Sequence, residues 1–352
     1  MELLKNKLYR EDIELVKSFA IDWSLLKNKS ILISGATGMI ASLLIDVVMS
    51  KNQEEEMNCT IYALGRNVEK AKLRFADYFG FNNFIFLECD INKEIFFLDD
   101  IKVDYIIHAA SNTHPLAYAN EPVSTITTNV IGTDNLFKLG IEKKIQKFVF
   151  LSTVEIYGEN QTNKLEFDEL DLGYIDCNSL RAGYPESKRV GEALCQAYKK
   201  QYNIDFVIIR LPRVYGPTVQ SMDSKASSQF IKNGIQDKDI ILKSEGLQYY
   251  SYCYVVDAVT SIFKVMLEGE SGLAYNVSDE QSNVTLKRFA EIIADIANTK
   301  VVFDLPNETE KAGFSKATVA IMNSDKIRKL GWYSLVPIEE GLKRTMLILK
   351  ED

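Results

Sequence analysis

A tyrosine and a lysine in the stretch "LRAGYPESKRVGE" have the spacing of a proton-transfer pair. Tyr184 and Lys188 are four residues apart, which places them one turn apart on one face of a helix. A phenol with a reference pKa of about 10 is a poor base at neutral pH. We expect the Lys188 ammonium to lower the pKa of Tyr184, so that the phenolate can take a proton from a hydroxyl group. Upstream, "LSTVEIYG" supplies Ser152 and Thr153, whose hydroxyls could bridge to a substrate oxygen.

A glycine-rich turn earlier in the chain predicts a dinucleotide site. The stretch "SGATGMIASLL" places Gly35, Gly38 and Ala41 in a G-x-x-G-x-x-A arrangement between an apolar run and an amphipathic segment. Glycine permits the tight turn, and the backbone N–H groups at the start of the following helix can bind a pyrophosphate. Ala41 falls where the helix and the strand must approach closely.

The next apolar run ends in "YALGRN" and lacks an expected carboxylate. An acidic residue roughly 20 positions after the glycines would bind the adenosine ribose 2′-OH. Gly65 and Arg66 stand there instead, and an arginine can pair with a 2′-phosphate or stack on adenine. The sequence therefore leaves both NADP and NAD open. Asp90, in "LECD", could accept a hydrogen bond from the adenine amino group or cap a helix.

Six short apolar runs alternate with helix-length segments between residues 30 and 210. The runs are rich in β-branched and aromatic residues, as in strands buried on both faces: "SILISG", "CTIYAL", "NFIFLE", "VDYIIHA", "KFVFLS" and "DFVIIR". Helices are predicted over 38–50, 67–79, 121–140 and 184–203. This alternation predicts an α/β fold with a Rossmann-type, doubly wound parallel sheet.

The domain prediction divides the chain into three parts. Residues 1–28 form an N-terminal helical extension, 29–216 the dinucleotide-binding domain, and 217–352 mainly a smaller α/β substrate lobe. Residues 254–277 are expected to return to the first domain. The charge run "SKNQEEEMN", at 50–58, predicts a solvated loop.

Composition excludes several functions. The net charge of −8 argues against nucleic acid as a partner, and no run is long and apolar enough to predict a membrane span. Five scattered cysteines without C-x-x-C spacing indicate free thiols and a cytoplasmic location. Only two histidines occur, His108 and His114, so we expect neither a metal site nor a histidine-based hydrolase.

The order of these motifs resembles a known family. The chain is similar to the extended short-chain dehydrogenases/reductases, the NAD-dependent epimerase/dehydratase family, which act on nucleotide sugars. The motifs that carry the resemblance extend over nearly the whole chain: "GATGMIA", "HAAS", "TNVIGT", "STVEIYG", "YPESK", "RLPRVYGP" and "YVVDAV". The stretch around Tyr184 is most similar to the UDP-glucuronate decarboxylase branch.

The resemblance implies a set of site residues and a nucleotide-diphosphate sugar as the substrate. Thr153, Tyr184 and Lys188 would form the catalytic triad, with Glu155 as the acidic residue of the decarboxylase branch. The residues implied to bind NADP or NAD are Gly35, Thr37, Gly38, Met39, Ile40, Arg66, Asp90, Ile91, Ala109, Ala110, Ser111, Asn129, Tyr184 and Lys188. Those implied to bind the substrate are Ser111, Thr153, Glu155, Arg181, Arg213 and Tyr250.

Three positions depart from family patterns. Sugar dehydratases have Thr-Asp-Glu where this chain has Val154 in the middle, which counts against dehydration. Tyr250 stands where the family usually has an arginine, and Arg213 stands where it usually has an asparagine. The chain thus loses one cation and gains another nearby.

Three functions remain open at this stage. The first is hydride removal from a sugar carbon followed by its return after epimerisation or decarboxylation. The second is an NADPH-dependent reductase of a nucleotide-linked keto sugar or ketose, for example a CDP-linked one giving an alditol. The third is a non-catalytic dinucleotide sensor.

Association as a homodimer is a further expectation. Helices 121–140 and 184–203 carry apolar residues at helical spacing that could form a four-helix bundle across a two-fold axis. These residues are Ile126, Val130, Leu136, Val190, Leu194 and Tyr198. The alternative is that they are core positions.

Overall fold

The computed structural model describes residues 3–95, 101–113, 115–160, 164–304 and 318–351. His114 lies outside these ranges. None of the described helices combines the length and apolar character needed to cross a membrane.

The strands and helices follow the predicted alternation. In chain order the strands are β1 Ser30–Ser34, β2 Thr60–Gly65, β3 Phe84–Glu88, β4 Tyr105–His108, β5 Lys147–Thr153, β6 Phe206–Leu211, β7 Arg213–Tyr215, β8 Ile240–Leu242, β9 Tyr249–Tyr254, β10 Ala274–Asn276, β11 Asn283–Thr285, β12 Val301–Phe303 and β13 Val319–Ala320. The helices are α1 Lys7–Ser18, α2 Met39–Glu55, α3 Val68–Arg74, α4 Pro115–Asn120, α5 Pro122–Lys143, α6 Gly183–Tyr202, α7 Ala226–Ile235, α8 Val255–Glu268, α9 Leu286–Ala297, α10 Asp325–Arg328 and α11 Ile338–Lys350.

Seven parallel strands form the central sheet in the order β10-β6-β5-β4-β1-β2-β3. Strand order reverses between β1 and β4, the point at which open α/β sheets bind ligands. Ser34 is in register with His108, and Thr153 with Leu211, so the residues that follow these strands meet at one edge. The prediction of a doubly wound Rossmann-type sheet is confirmed.

Two local predictions were wrong. The charge run after residue 50 was expected to be a loop, but α2 continues to Glu55. Lys51 is buried, with its ammonium 4.8 Å from the Trp23 ring centre and 2.7 Å from Glu55. Asn52 closes the helix end by exchanging hydrogen bonds with the Cys59 backbone. The next helix, expected over 67–79, ends at Arg74.

The smaller sheets lie in the second half of the chain. β9 pairs with β7, β11 and β13, and β8 pairs with β12. Two elements from this half join the central layers: β10 extends the sheet beside β6, and α8 packs against α1, α2 and β6. The exact domain limits stay a prediction.

The N-terminal helix α1 is tied to the C-terminal half by a buried polar cluster. Asp12 accepts hydrogen bonds from the Tyr254 hydroxyl at 2.5 Å and from Arg344 Nε at 2.8 Å. Burial raises the pKa of Asp12 to about 6, although both partners oppose the shift. Because Tyr254 belongs to β9, this cluster fixes the strand that carries Tyr250 against the first domain.

Candidate active site

A single cleft of about 1050 Å³ lies along the carboxyl edge of the central sheet. It is bounded by the glycine loop, the ends of β2 to β6, and residues of the second half of the chain. Of the predicted site residues it contains Gly35, Thr37, Gly38, Met39, Ile40, Arg66, Asp90, Ile91, Ala109, Ala110, Ser111, Thr153, Glu155, Arg181, Tyr184, Lys188, Arg213 and Tyr250. The tertiary structure therefore brings together residues drawn from eight separate segments of the sequence.

Asn129 is the exception among the predicted cofactor residues. It is fully buried, its amide nitrogen donates to Ser187 Oγ at 2.9 Å, and it does not line the cleft. Its neighbour Thr128 does line the cleft. The helical turn directs Asn129 into the contact between α5 and α6, and its contact with the cofactor stays a prediction.

The glycine loop is held too tightly for larger residues. Gly35 has a φ of +69°, and a Cβ there would lie 2.7 Å from the Ala110 Cα. Gly38 is the N-cap of the 17-residue α2, and its N–H donates to Gly35 O at 2.8 Å. The loop thus presents backbone at the positive end of a long helix, a suitable site for a pyrophosphate.

The second half of the chain reaches over this loop. Thr218 Oγ1 donates to Met39 O at 2.8 Å, and Gln220 Nε2 donates to Thr37 O at 3.0 Å. Neither contact was predicted, although Thr218 directly follows the "RLPRVYGP" motif. They fix the loop directly to the segment that follows β7.

Tyr184 is buried at the start of α6 and stacks on Tyr118 of α4, with ring centres 5.0 Å apart. Burial raises the pKa of Tyr184, and the Glu155 charge raises it further, while a hydrogen bond with Thr153 and the charge of Arg181 oppose the shift. The phenol therefore carries its proton at neutral pH in the free protein. Tyr118 was missed at the sequence level, because no pattern identifies it.

The ammonium of Lys188 contacts two residues of β5. Its Nζ donates to Leu151 O at 2.8 Å and lies 4.8 Å from the Phe150 ring centre. Burial lowers the pKa of Lys188 to about 7, against the charge of Glu192. The groups that shift the pKa of Tyr184 do not include Lys188, because its ammonium is held at the end of β5. The effect of this lysine on the pKa of Tyr184 stays a prediction.

The two hydroxyls at the end of β5 have different partners. Ser152 Oγ donates to Glu192 Oε1 at 2.6 Å. Thr153 Oγ1 accepts the Glu155 N–H at 3.3 Å and hydrogen-bonds to Tyr184. Of the two, Thr153 is therefore the hydroxyl coupled to the tyrosine, whereas Ser152 is already engaged by a carboxylate.

Glu155 and Arg181 form an ion pair at the wall of the cleft. Arg181 Nη2 donates to Glu155 Oε1 at 2.9 Å, and the guanidinium carbon lies 4.6 Å from the Tyr118 ring centre. Both charged side chains are about one-third exposed. The carboxylate and guanidinium can therefore contact a ligand as well as each other.

The two departures from the family pattern are in direct contact. The Arg213 guanidinium carbon lies 3.4 Å from the Tyr250 ring centre, a cation–π arrangement. Arg213 Nη1 is buried and makes no hydrogen bond to any residue in the described ranges. Burial raises the pKa of Tyr250, and Arg213 opposes that shift. Arg213, the additional cation, therefore lies on the ring of Tyr250, the residue that stands where the family usually has an arginine.

The remaining predicted residues lie toward the other end of the cleft. Asp90 Oδ1 accepts the Asn92 N–H at 3.1 Å in a turn, so it does not cap a helix. Arg66 is exposed at the end of β2. His108 is fully buried, and burial keeps its pKa below the ordinary value. Over the described ranges, no group of three or more His, Cys, Asp or Glu residues could hold a metal ion.

Comparisons with known proteins agree with this geometry. A sequence model of the NAD dependent epimerase/dehydratase family matches residues 31–278. UDP-glucuronic acid decarboxylase 3 from Arabidopsis thaliana is 31% identical over 332 residues, covering 92% of this chain and 89% of the relative. The chain belongs to the NAD dependent epimerase/dehydratase family.

Other relatives in the comparisons have different reactions. The dTDP-D-glucose 4,6-dehydratase of Bos taurus is 28% identical, with 92% and 91% of the two chains covered. The structure of UDP-glucuronic acid 4-epimerase from Bacillus cereus, in complex with UDP-glucuronic acid and NAD, has a TM-score of 0.77 at 20% identity and covers 92% of this chain and 99% of that chain. The family resemblance and the assignment as an enzyme are confirmed.

The residues at the end of the cleft that contains the glycine loop fit the dinucleotide used by this family. The glycine loop allows backbone contact with a pyrophosphate, and the Asp90 side chain can face an adenine. When bound, the dinucleotide supplies a nicotinamide ring that accepts or donates a hydride. Tyr184 and Lys188 line the same cleft and would lie on the nicotinamide side.

Replacing Tyr184 with phenylalanine tests its role in proton transfer. Because only the hydroxyl is lost, we expect turnover to fall about 10²- to 10⁴-fold, with dinucleotide affinity and the melting temperature nearly unchanged. Turnover and calorimetric titration measure the two effects. Tyr202→Phe, at the exposed end of the same helix, is the matched control. Tyr184→Phe activity within twofold of wild type would contradict the assignment.

Proposed function

We propose that this enzyme removes a hydride from a carbon of a nucleotide-diphosphate sugar, at C4, and returns it after decarboxylation or epimerisation. The observation that supports this most directly is the joining of Thr153, Tyr184, Lys188 and Glu155 with the glycine loop in one cleft. The cleft continues into the second half of the chain, where the nucleotide of the substrate would lie.

The catalytic side chains divide the work as follows. Tyr184 exchanges a proton with the sugar hydroxyl oxygen, and Thr153, bonded to Tyr184, orients that oxygen. In the free protein Tyr184 is protonated, so a charge change on ligand binding must lower its pKa before it can act as a base. A bound dinucleotide with a positively charged nicotinamide ring would supply such a change. Lys188 has a pKa of about 7 in the free protein, and contact with a ribose hydroxyl would fix its position.

Glu155 supports a reaction that continues beyond the first hydride transfer. Its carboxylate lies close enough to Tyr184 to raise the pKa of the phenol, and Arg181 neutralises it on the other side. Decarboxylation is favoured over dehydration because Val154 replaces the acid of the dehydratase triplet. The similarity to UDP-glucuronic acid decarboxylases points the same way.

Incubation with a panel of nucleotide sugars tests the proposed reaction. The purified protein would be given NAD or NADPH with UDP-, CDP-, GDP- and dTDP-sugars, and the products measured by mass spectrometry and chromatography. Loss of the mass of carbon dioxide would indicate decarboxylation, and an isomer of unchanged mass would indicate epimerisation. A product heavier by two hydrogen atoms would favour the reductase instead. No turnover of any nucleotide sugar would overturn the proposal.

Arg213 is proposed to bind the substrate diphosphate. Two phosphates in a partly closed cleft require a cation, and the buried Nη1 of Arg213 has a free hydrogen-bonding position. Its guanidinium carbon lies 3.4 Å from the Tyr250 ring centre, so part of its side-chain freedom is already lost before binding.

Replacement of Arg213 tests this role. A charged hydrogen bond contributes about 1.5 to 3 kcal/mol, so Arg213→Ala should raise KM roughly 10- to 100-fold, and Arg213→Lys by less. Tyr250→Arg should partly rescue Arg213→Ala. Arg288→Ala, which removes an exposed ion pair with Glu339, is the control. An unchanged KM in Arg213→Ala would show that other groups hold the phosphates.

A net reductase is the second candidate, because Arg66 and Lys70, two cations with no ion-pair partner in the part of the chain that the structure describes, line the cofactor end of the cleft. That pair fits NADP(H) better than NAD, because two cations can balance the charge of a 2′-phosphate. We also propose a cytoplasmic location, since the five cysteines are free and Cys177 is exposed.

A homodimer through α5 and α6 is proposed from their exposed apolar residues. Leu136 and Tyr198 are core residues and cannot contribute, whereas Ile126 and Val190 are 41% and 43% exposed. Val123 is exposed on the same two-helix unit. Exposed apolar residues on two neighbouring helices are typical of an isologous interface.

Light scattering at micromolar concentration tests the dimer. The wild type should have twice the mass of the chain, and Val123→Glu combined with Val190→Glu should give a monomer, because two charges would enter the interface. Both sites are exposed, so folding should be retained. A monomeric wild type would rule the dimer out.

A further inference from the structure

Two cations line the cofactor end of the cleft and have no counterion among the described residues. Arg66 follows Gly65, the last residue of β2, and Lys70 lies in the first turn of α3. Both line the cleft and both are exposed. Burial lowers the pKa of Lys70, and the charge of Arg66 lowers it further, which indicates that the two cations lie close together.

Two of the acidic residues nearby have partners of their own, and Glu88, in register with Gly65, forms no ion pair with either cation within the described ranges. Glu69 pairs with Lys72 at 2.8 Å, and Asp90 Oδ1 accepts a backbone N–H. In the described part of the chain, the side chains of Arg66 and Lys70 make no hydrogen bond or ion pair. In a chain with a net charge of −8, two adjacent unpaired cations in a cleft indicate an anionic ligand.

The position of the pair relative to the glycine loop defines which part of a dinucleotide it meets. β1 leads into the loop, and Ser34 is in register with Leu64, so the residues after β2 lie beside the loop. The adenosine ribose lies over this strand end in doubly wound folds. A carboxylate for the ribose 2′-OH is absent there, and the Asn67 oxygen already accepts the Lys70 N–H at 2.8 Å.

The local packing also disfavours an acid at the end of β2. A Cβ at Gly65 would approach the Phe86 ring to 3.2 Å, so a side chain there requires the ring to shift. The backbone therefore favours glycine at the position from which a carboxylate could reach the ribose, and leaves the space in front of it to Arg66 and Lys70.

We propose that Arg66 and Lys70 bind the 2′-phosphate of NADP(H), so that this enzyme prefers NADP(H) over the NAD of its family. A phosphate monoester has a charge of about −1.5 to −2 at pH 7, which the two cations balance. Arg66 can form a bidentate contact, and Lys70 acts as a second charge. The inference rests on the dinucleotide-binding part of the proposed function and is independent of the sugar. NADPH would favour the reductase among the alternatives.

Calorimetric titration of the whole protein tests this inference. NADP⁺ should bind the wild type at least roughly tenfold more tightly than NAD⁺, since charged hydrogen bonds to one phosphate supply that difference. Arg66→Ala and Lys70→Ala should each lose NADP⁺ affinity by roughly tenfold and leave NAD⁺ affinity within twofold. Arg66→Asp should reverse the preference. Lys72→Ala, a paired lysine on the same helix, should change neither affinity.

Salt and a truncated ligand identify the group that is bound. Because both cations are exposed, the preference for NADP⁺ should shrink as ionic strength rises. Adenosine 2′,5′-bisphosphate should bind more tightly than adenosine 5′-monophosphate in wild type but not in Arg66→Ala.

Several outcomes would overturn the inference. Equal wild-type affinity for NADP⁺ and NAD⁺ would exclude a 2′-phosphate site, and this measurement requires no variant. Equal losses for both cofactors in Arg66→Ala would show that Arg66 stacks on adenine instead. If NADP⁺ is preferred but no nucleotide sugar reacts, the proposed function fails and this inference stands. If neither dinucleotide binds, both fail.

Discussion

The catalytic edge of the sheet depends on one buried ion pair. Arg210 of β6 and Glu192 of α6 are joined by two hydrogen bonds, Nη2 to Oε2 at 2.6 Å and Nε to Oε1 at 3.0 Å. Their side chains are 8% and 13% exposed. Ser152 Oγ adds a third bond to Glu192, so β5, β6 and α6 are locked together one helical turn from Lys188. Removal of either charge would leave the other desolvated, which is a large cost.

The same arginine connects the catalytic edge to the second half of the chain. Arg210 Nη1 donates to the Tyr157 hydroxyl at 2.9 Å, and Tyr157 donates to Asn276 Oδ1 of β10 at 2.6 Å. A buried pair of this kind contributes less to net stability than its Coulomb energy suggests, because both ions lose hydration. Its geometric demands instead explain why Thr153, Tyr184 and Lys188 are held in one arrangement before any ligand binds.

Burial favours the uncharged forms of Tyr184 and Lys188. The proposed catalytic roles require the charged forms, a phenolate and an ammonium. Tyr184 holds its proton more tightly than a free phenol, and Lys188 has a pKa of about 7. Both shifts have the same cause, because a low-dielectric site disfavours the phenolate and the ammonium alike. A charged ligand bound next to Tyr184 and Lys188 would change the pKa values of both side chains. The charge of a bound ligand would therefore help to set the protonation states of these two side chains.

The sequence by itself determined the fold class, the six central strands and the residues of the glycine loop, because these features follow from local rules. A buried run of β-branched residues favours a strand. A turn with a positive φ, such as the one at Gly35, favours glycine. Tyr184, Lys188 and Thr153 could be proposed as site residues for the same reason, since their spacing and their positions at strand ends are local features. Only the tertiary structure decided what these side chains touch. The Tyr118 stack, the Arg213–Tyr250 contact, the burial of Asn129 and the Leu151 partner of Lys188 each join segments distant in sequence or depend on the rotation of a helix against its neighbour. Such contacts are set by register and packing, and single-sequence patterns do not encode them.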